Sequence, residues 1–147
     1  MLTKKTSFRL VNVLIADDHE MFRRGVKMTL KNIQFVNEIL EADSGNDALQ
    51  IVDSNPIDIV LMDITMKDGN GISTTKIISE KYPDVGVIAL SMHEDESSIV
   101  NMIKAGALGY LFKNTDEDEL REAIVCVYNK GNYFTQNLQD TNQKKCL

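Results

Sequence analysis

The alternation of short apolar runs with amphipathic segments constrains the fold of this chain more than any other sequence feature. Five runs rich in aliphatic and β-branched residues each give way to polar residues, and a segment with apolar residues at helical spacing follows each run. The runs cover residues 11–16, 35–42, 57–63, 85–90 and 108–112. Strands that alternate with helices form a parallel sheet covered by helices on both faces. The sequence therefore predicts a doubly wound α/β domain with five strands and five helices.

Local signals at the ends of these segments refine the prediction. Right-handed crossovers restrict the strand order, and 2-1-3-4-5, the order of flavodoxin-like folds, is the common solution for five strands. Ser44 is expected to cap the second helix, and Thr115 or Asp116 the fifth. Gly106 is expected to follow the fourth helix as its stop residue.

Composition limits the classes of function. The chain has 147 residues, a net charge of −6 and a pI of about 4.9, so long-range electrostatics oppose nucleic-acid binding by these residues alone. No apolar run approaches the roughly 18 residues that span a bilayer, and the first residues lack the apolar core of a signal peptide. Cys126 and Cys146 form no motif and are expected to be free thiols in a reducing compartment. We therefore expect a cytoplasmic protein without a membrane partner.

Polar residues stand where four of the five apolar runs end. They are Asp17 and Asp18 after the first run, Asp63 at the end of the third, Ser91 after the fourth and Lys113 after the fifth. Each position alone has an ordinary explanation, because carboxylates commonly cap helices and serine is common in turns. In a parallel sheet, however, these ends share one edge, which is where open α/β folds hold their ligands. The five side chains are therefore predicted to form one site.

The three carboxylates would repel one another, and this repulsion would raise a pKa or destabilise the sheet unless a cation intervened. Mg²⁺ is the expected cation, because it takes oxygen ligands and is often completed by phosphate oxygens, and the sequence has no Cys/His cluster for a softer metal. Carboxylates, Mg²⁺, Lys113 and Ser91 together suit phosphoryl transfer. Asp63 lies on the predicted central strand, and it is the predicted nucleophile.

The set Asp17-Asp18, Asp63, Ser91 and Lys113 resembles the receiver domain of two-component response regulators over residues 11–130. Other stretches are most similar to receivers whose output is a LuxR-type helix-turn-helix. They are Asp17-Asp18-His19, Ser91-Met92-His93 and residues 106–113, which read Gly-Ala-Leu-Gly-Tyr-Leu-Phe-Lys. The resemblance is specific, because five positions on four strand ends agree in order.

The resemblance implies a role for each residue. Asp63 would accept a phosphoryl group from a sensor histidine kinase, and Mg²⁺ would be held by Asp17, Asp18, Asp63 and the backbone carbonyl of Thr65. Lys113 would pair with the phosphoryl group and Ser91 would hydrogen-bond it. The sequence alone suggests that Tyr110 is an aromatic residue of the core. The resemblance implies that it would move inward after Ser91, as a switch, and change the surface of the fourth helix, fifth strand and fifth helix. Such a protein is not an enzyme beyond catalysing its own phosphorylation and dephosphorylation.

The sequence departs from the family pattern close to this site. Lys67 stands where the family usually has proline, Met92 where a small alanine is common, and Asn114 where many receivers have proline. A lysine at position 67 frees the backbone and adds a cation. Thr65, Met92, His93 and Lys67 are expected to tune the lifetime of the phosphoryl group.

The resemblance also divides the chain. Residues 1–10 are expected to be an N-terminal extension, residues 11–130 the receiver, and residues 131–147 a linker or tail whose first residues resemble the linker of LuxR-type regulators. A DNA-binding output domain is expected to lie outside this chain, and it would mediate any contact with DNA. Homodimerisation on phosphorylation is left open, and a stand-alone receiver that signals by protein contact is the alternative.

Two other functions suit the fold less well. A Mg²⁺-dependent aspartyl phosphatase of the haloacid dehalogenase type needs a general acid two residues after its nucleophile, which Thr65 cannot supply, and a cap for which the chain is too short. A flavodoxin-like nucleotide or flavin binder needs a small-residue phosphate loop after the first strand, whereas Asp17 and Asp18 would repel phosphate.

Overall fold

The computed structural model describes residues 10–67, 70–92, 96–134 and 146. One sheet of parallel strands has the order β2-β1-β3-β4-β5-β6. Its strands are β1 Val11–Ala16, β2 Val36–Ala42, β3 Ile59–Asp63, β4 Gly86–Ser91, β5 Gly109–Phe112 and β6 Tyr133–Phe134. The described helices are α1 Glu20–Lys31, α2 Gly45–Ser54, α3 Gly71–Lys81, α4 Glu96–Ala105 and α5 Glu117–Tyr128. None of these helices has the length and apolar character that crossing a membrane requires.

The central strands are buried on both faces, because helices cover both sides of the sheet. Side chains alternate between the two faces along a strand. Val13 and Ile15 of β1 therefore lie in one apolar cluster, with α1 and α5, whereas Leu14 lies in the other, with residues of α2, α3 and α4. This arrangement explains why the central runs are continuously apolar rather than alternating with polar residues.

The helix ends follow their local signals. Ser44 Oγ accepts a hydrogen bond from the Asp47 N–H at 3.0 Å, which confirms the predicted cap of α2. At α5 the cap is Asp116, whose Oδ1 accepts from the Glu119 N–H at 2.9 Å, while the neighbouring Thr115 hydroxyl donates to the Glu119 side chain. Gly106 follows α4 with a φ of 111°, a left-handed conformation that favours glycine.

The order of the first five strands is as predicted, but the sheet has a sixth strand that the sequence did not predict. Tyr133 pairs with Gly109 and Phe134 with Tyr110, so β6 extends the sheet beside β5. The Tyr133 side chain is buried in the α5 cluster. A strand of two residues is too short to display periodicity in a sequence, and these residues therefore read only as the start of a linker.

The expectation that Cys126 and Cys146 are free thiols is wrong for this structure, because the two residues form a disulfide. Cys146 forms an isolated antiparallel bridge with Tyr133 of β6, and the Cα atoms of Cys126 and Cys146 are 5.6 Å apart. That separation is within the range that a disulfide can join. The two cysteines come close together because β6 joins the sheet, and no sequence pattern indicates that pairing.

Opening the disulfide should lower stability, because the cross-link limits the conformations of the unfolded chain. Reduction, or Cys146→Ser, should decrease the free energy of unfolding by up to about 3 kcal/mol. Urea unfolding followed by circular dichroism, with and without a reductant, measures this change. The Cys146→Ser variant is the control for the reductant. It has no Cys126–Cys146 disulfide, so the reductant should leave its unfolding midpoint unchanged. Equal midpoints for oxidised and reduced wild type would contradict the expectation.

Candidate functional site

The predicted site residues meet at the carboxyl edge of the sheet. Asp17 follows β1, Asp63 is the last residue of β3, Ser91 is the last of β4, and Lys113 follows β5. Strand register aligns these ends, since Asp63 pairs with Leu90 and Ser91 with Phe112. Asp17 and Asp63 are fully buried, which is uncommon for carboxylates unless they are paired or bind a cation.

Lys113 forms the central ion pairs of the site. Its Nζ lies 2.8 Å from Asp17 Oδ2 and 3.3 Å from Asp63 Oδ1, and its side chain is only 5% exposed. The same Nζ lies 4.5 Å from the centroid of the Phe22 ring of α1, a cation–π geometry that helps to fix the ammonium group. Lys113 therefore offsets one of the three formal negative charges and holds two of the carboxylates together.

The two oxygens of Asp63 have different surroundings. Oδ1 accepts hydrogen bonds from the Thr65 N–H at 2.9 Å and from the Thr65 hydroxyl at 2.8 Å. Oδ2 is buried and has no hydrogen-bond partner among the described residues. Burial raises the pKa of Asp63, and the Asp17 carboxylate raises it further, while the Thr65 hydrogen bonds and Lys113 oppose the rise. The structure thus holds Asp63 by one oxygen and leaves the other available to a ligand.

Asp18 and His19 complete the acidic cluster. The Asp18 Oδ2 atom accepts a 2.6 Å hydrogen bond from the Lys67 N–H, whereas the Oδ1 atom is buried without a hydrogen-bond partner in the described residues. His19 Nδ1 lies 3.1 Å from Asp17 Oδ1 and 3.2 Å from Asp18 Oδ1. In the sequence His19 is recognisable only as part of the Asp17-Asp18-His19 motif, which does not predict that its ring lies in the site.

The contact to Lys67 depends on the departure from the family pattern at this position. Proline has no N–H, so it could not donate the hydrogen bond that Asp18 Oδ2 accepts. The side chain of Lys67 is exposed. The backbone at position 67 therefore orients one carboxylate of the cluster, whereas its predicted influence on phosphoryl lifetime stays a prediction.

The donor atoms suit a hard divalent cation. Asp17, Asp18, His19 and Asp63 each place one ligand atom within 4.8 Å of the others. Asp18 Oδ1 and Asp63 Oδ2, which accept no hydrogen bond from the described residues, both belong to this group. Carboxylate oxygens are the ligands that Mg²⁺ prefers, and a dication would offset the charge that Lys113 leaves unbalanced. The residues present therefore fit Mg²⁺, as the sequence predicted.

The remaining predicted residues lie around this centre. Ser91 is buried, and its carbonyl accepts from the Lys113 N–H at 2.7 Å. Tyr110 is buried and packs edge-to-face on Phe112, with ring centroids 5.9 Å apart. Met92 is 63% exposed. His93 lies outside the described residues. The roles of Ser91 and Tyr110 as switch residues stay predictions.

Arg23 of α1 hydrogen-bonds the backbone of Asp17 and so helps to hold the site in place, a role that the sequence did not reveal. Its Nη1 donates to the Asp17 carbonyl at 2.6 Å, and its Nε donates to Glu41 Oε1 at 2.9 Å. The Arg23 hydrogen bond lowers the pKa of Glu41, and Lys27, 3.2 Å from the same carboxylate, lowers it as well. An arginine seven residues after the end of β1 carries no recognisable sequence signal, because its hydrogen bond to the Asp17 carbonyl requires the turn into α1.

Gly71 allows the start of α3 to approach the backbone of Asp63 closely. A Cβ at this position would lie 2.8 Å from the Asp63 carbonyl oxygen and 3.2 Å from the Ile64 Cα. Gly71→Ala should therefore displace Asp63, lower the free energy of unfolding by about 1–3 kcal/mol and weaken Mg²⁺ binding. Thermal unfolding with and without Mg²⁺ measures both effects.

Gly25→Ala is the matched control for this substitution. Gly25 lies within α1, and a Cβ there would have no atom within 4 Å. Alanine at an exposed helix position should stabilise the protein by about 0.5–1 kcal/mol. If Gly71→Ala behaved like Gly25→Ala, the close approach to Asp63 would not be a constraint on the site.

The sequence is similar to known regulatory proteins. The family model for the response regulator receiver domain matches residues 13–125. The transcriptional regulatory protein DegU of Brevibacillus brevis is 39% identical over 84% of this chain and 52% of its own length. The response regulator UvrY of Escherichia coli is 34% identical over 88% of this chain and 59% of its own length. The chain thus spans about half the length of these relatives.

Solved structures have the same fold. A two-component response regulator of the LuxR family from Aurantimonas sp. SI85-9A1 superposes with a TM-score of 0.79 at 24% identity, covering 92% of this chain and 94% of that one. A response regulator from Thermotoga maritima superposes with a TM-score of 0.73 at 25% identity, covering 82% and 98%. On the family match and on the acidic cluster at the edge of the sheet, this chain belongs to the response regulator receiver domain family.

Proposed function

We propose that Asp63 is the phosphoacceptor of this receiver and that a sensor histidine kinase is its phosphodonor. The observation that carries the proposal is the position of the Asp63 carboxylate, which is fully buried between Lys113 and the acidic cluster with one oxygen unpartnered. A buried, rigidly held carboxylate beside an ammonium group is suited to attack phosphorus in line.

The proposed step forms one bond and breaks one. Asp63 Oδ1, on the side of Lys113, attacks the phosphorus of a phosphohistidine or an acyl phosphate, and the bond from phosphorus to the donor breaks with its electron pair on the donor. The Lys113 ammonium and the two Thr65 donors, which now contact Oδ1, would then hydrogen-bond phosphoryl oxygens. The product is an aspartyl phosphate, and the Ser91 hydroxyl is the proposed further donor to it.

Asp17, Asp18 and Asp63 are the residues that would hold Mg²⁺, and Asp18 Oδ1 and Asp63 Oδ2 are among the proposed donor atoms. The Thr65 carbonyl is proposed as a further ligand from the resemblance. When bound, Mg²⁺ would neutralise charge on the oxygens of the phosphoryl group during its transfer. This chain orients the carboxylates through the Lys67 N–H on Asp18 and the Arg23 guanidinium on the Asp17 carbonyl.

Labelling with acetyl phosphate tests the proposal. In the presence of Mg²⁺, the intact mass of the wild type should increase by one phosphoryl group, and chelation of Mg²⁺ should abolish this increase. Asp63→Asn should remain unlabelled. Asp58→Asn is the control, because Asp58 lies at the opposite end of the same strand, where it bonds the Asn12 N–H. Labelling of Asp63→Asn at the wild-type rate would refute the assignment.

The consequence of phosphorylation is proposed to be control of transcription. DegU is named as a transcriptional regulatory protein, and this chain covers 52% of its length. We propose residues 11–130 as the receiver and residues 131–147 as the connection to a DNA-binding output domain. A change in the positions of Ser91 and Tyr110 is proposed to alter the surface of α4, β5 and α5. Residues 1–10 are proposed as an extension.

We also propose a cytoplasmic location and homodimerisation on phosphorylation. A cytoplasmic location would give access to a kinase domain and would expose the Cys126–Cys146 disulfide to reduction. Homodimerisation on phosphorylation is proposed through the surface of α4, β5 and α5. Light scattering with and without beryllofluoride would detect it. The protein would act as a regulator whose only chemistry is its own phosphorylation and dephosphorylation.

A further inference from the structure

The ring of His19 lies among the three carboxylates of the site. Its Nδ1 is 3.1 Å from Asp17 Oδ1, 3.2 Å from Asp18 Oδ1 and 4.0 Å from Asp63 Oδ2. We propose that Nδ1 and these carboxylates bind a borderline divalent metal, such as Zn²⁺ or Co²⁺, in a four-coordinate arrangement that adds a nitrogen ligand to the carboxylates proposed for Mg²⁺. We further propose that this occupancy closes the pocket to phosphoryl transfer.

The distances suit four-coordination. Bonds of about 2.0–2.2 Å from Zn²⁺ to nitrogen and oxygen place neighbouring ligand atoms of a tetrahedron about 3.3–3.5 Å apart. Two of the three separations from Nδ1 are slightly shorter than this, and the third is longer by about half an ångström. All four ligand atoms lie within 4.8 Å of one another, so side-chain rotations would close the longer separations around a metal.

A second observation points to a ligand in the same place. Asp63 Oδ2 is fully buried, has no hydrogen-bond partner among the described residues, and belongs to the group of converging donor atoms. Leaving a buried carboxylate oxygen unpaired is costly, so the folded protein gains stability when a cation binds there. Asp18 Oδ1 is also buried with no hydrogen-bond partner among the described residues, and it lies 3.2 Å from His19 Nδ1.

The chemical type of the fourth ligand atom determines which metals bind more tightly. Imidazole nitrogen suits Zn²⁺, Co²⁺, Ni²⁺ and Cu²⁺, whereas Mg²⁺ is bound by oxygen ligands and waters. His19 should therefore add affinity for the first group and little for Mg²⁺. Its side chain is 56% exposed, so the ring has room to turn away while the carboxylates bind Mg²⁺.

The inhibitory consequence rests on the proposed function. Mg²⁺ keeps several exchangeable waters, which phosphoryl oxygens can replace. A metal held by four protein ligands is closed, as in structural zinc sites, and has no open position for a phosphoryl group. It would also occupy Asp63 itself. The metal-binding claim does not depend on phosphorylation.

Co²⁺ and Zn²⁺ alone are the probes. Titration of the oxidised, tag-free, metal-free chain with Co²⁺ should produce the intense visible absorption of a four-coordinate ion, and added Zn²⁺ should displace it. His19→Phe, which keeps a ring and removes the donor, should lose at least about tenfold in Zn²⁺ affinity by calorimetry. Its Mg²⁺ affinity should stay within about twofold of the wild type. His19→Gln should behave in the same way.

Two controls make the assignment specific. Glu20→Gln removes an exposed charge at the start of α1 and should leave the Co²⁺ spectrum unchanged. His93→Gln removes the other histidine of the chain and should also have no effect. Equal Zn²⁺ affinity of the wild type and both His19 variants would overturn the proposal, as would loss of binding in His93→Gln.

Labelling with acetyl phosphate separates this inference from the proposed function. Zn²⁺ should suppress Mg²⁺-dependent labelling of the wild type at concentrations that leave His19→Phe labelled. If the wild type is not labelled with Mg²⁺ alone, the proposed function fails while the spectroscopic test still decides the metal site. If labelling is normal but Zn²⁺ binding does not depend on His19, only the inference fails.

Discussion

Lys113→Met should lower the free energy of unfolding of the metal-free protein by about 3–5 kcal/mol, the cost of breaking a buried ion pair by removing one partner. Asp17 and Asp63 would remain buried, and no ammonium group would lie between their carboxylates. Methionine keeps most of the aliphatic volume, so the effect would come from the charge and not from a cavity. Urea unfolding in the presence of a chelator measures the change.

Lys76→Met is the matched control for the loss of a lysine. Lys76 lies on α3 and pairs with Glu80 at 3.9 Å, with both side chains about two-thirds exposed. Its replacement should change stability by less than about 1 kcal/mol. Adding Asp17→Asn to Lys113→Met should recover part of the lost stability, because one of the two uncompensated charges disappears. If Lys113→Met were as stable as Lys76→Met, the ion pairs would not hold the site together.

Asp63→Asn should have the opposite effect and stabilise the metal-free protein at neutral pH by about 1–2 kcal/mol. Asparagine keeps the shape of the side chain and an oxygen for the Thr65 hydrogen bonds, and it removes a buried charge that the Asp17 carboxylate repels. Thermal or urea unfolding in a chelator measures the gain. Adding Mg²⁺ should reduce the difference in free energy of unfolding between the variant and the wild type, because the ion stabilises the wild type more than the variant.

The pH dependence of this gain has a defined sign. Because burial raises the pKa of Asp63 above its ordinary value of 3.8, the folded state binds the proton more tightly than the unfolded state. The stability that this group contributes is fully present below that ordinary value and is lost as the pH rises through the raised pKa. The difference between variant and wild type should therefore grow with pH over this window and then level off. A difference that grew as the pH fell would contradict the raised pKa.

The site was predictable from the sequence to the extent that it lies on strand ends. Buried parallel strands read as continuous apolar runs, and their register forces Asp17, Asp63, Ser91 and Lys113 to one edge whatever the detailed packing. Caps are equally local, which is why Ser44 could be assigned from the sequence.

The features that the sequence did not reveal depend on tertiary geometry. His19 enters the acidic cluster because the chain turns directly into α1 after Asp18, and its neighbours in the sequence do not specify that orientation. Strand β6 and the disulfide depend on a two-residue pairing beside β5, and Cys126 and Cys146 are 20 residues apart. Contacts between distant segments leave no periodicity in the sequence, so they became visible only in the structure.

Peptide mapping of the phosphorylated site tests the central claim most directly. Wild-type protein treated with acetyl phosphate and Mg²⁺ is reduced with borohydride, which converts an aspartyl phosphate to homoserine, and is then digested and sequenced by mass spectrometry. We expect homoserine at position 63, and none when Mg²⁺ is chelated. Homoserine at position 17 or 18 instead, or an unmodified Asp63 in protein whose intact mass shows a phosphoryl group, would contradict it.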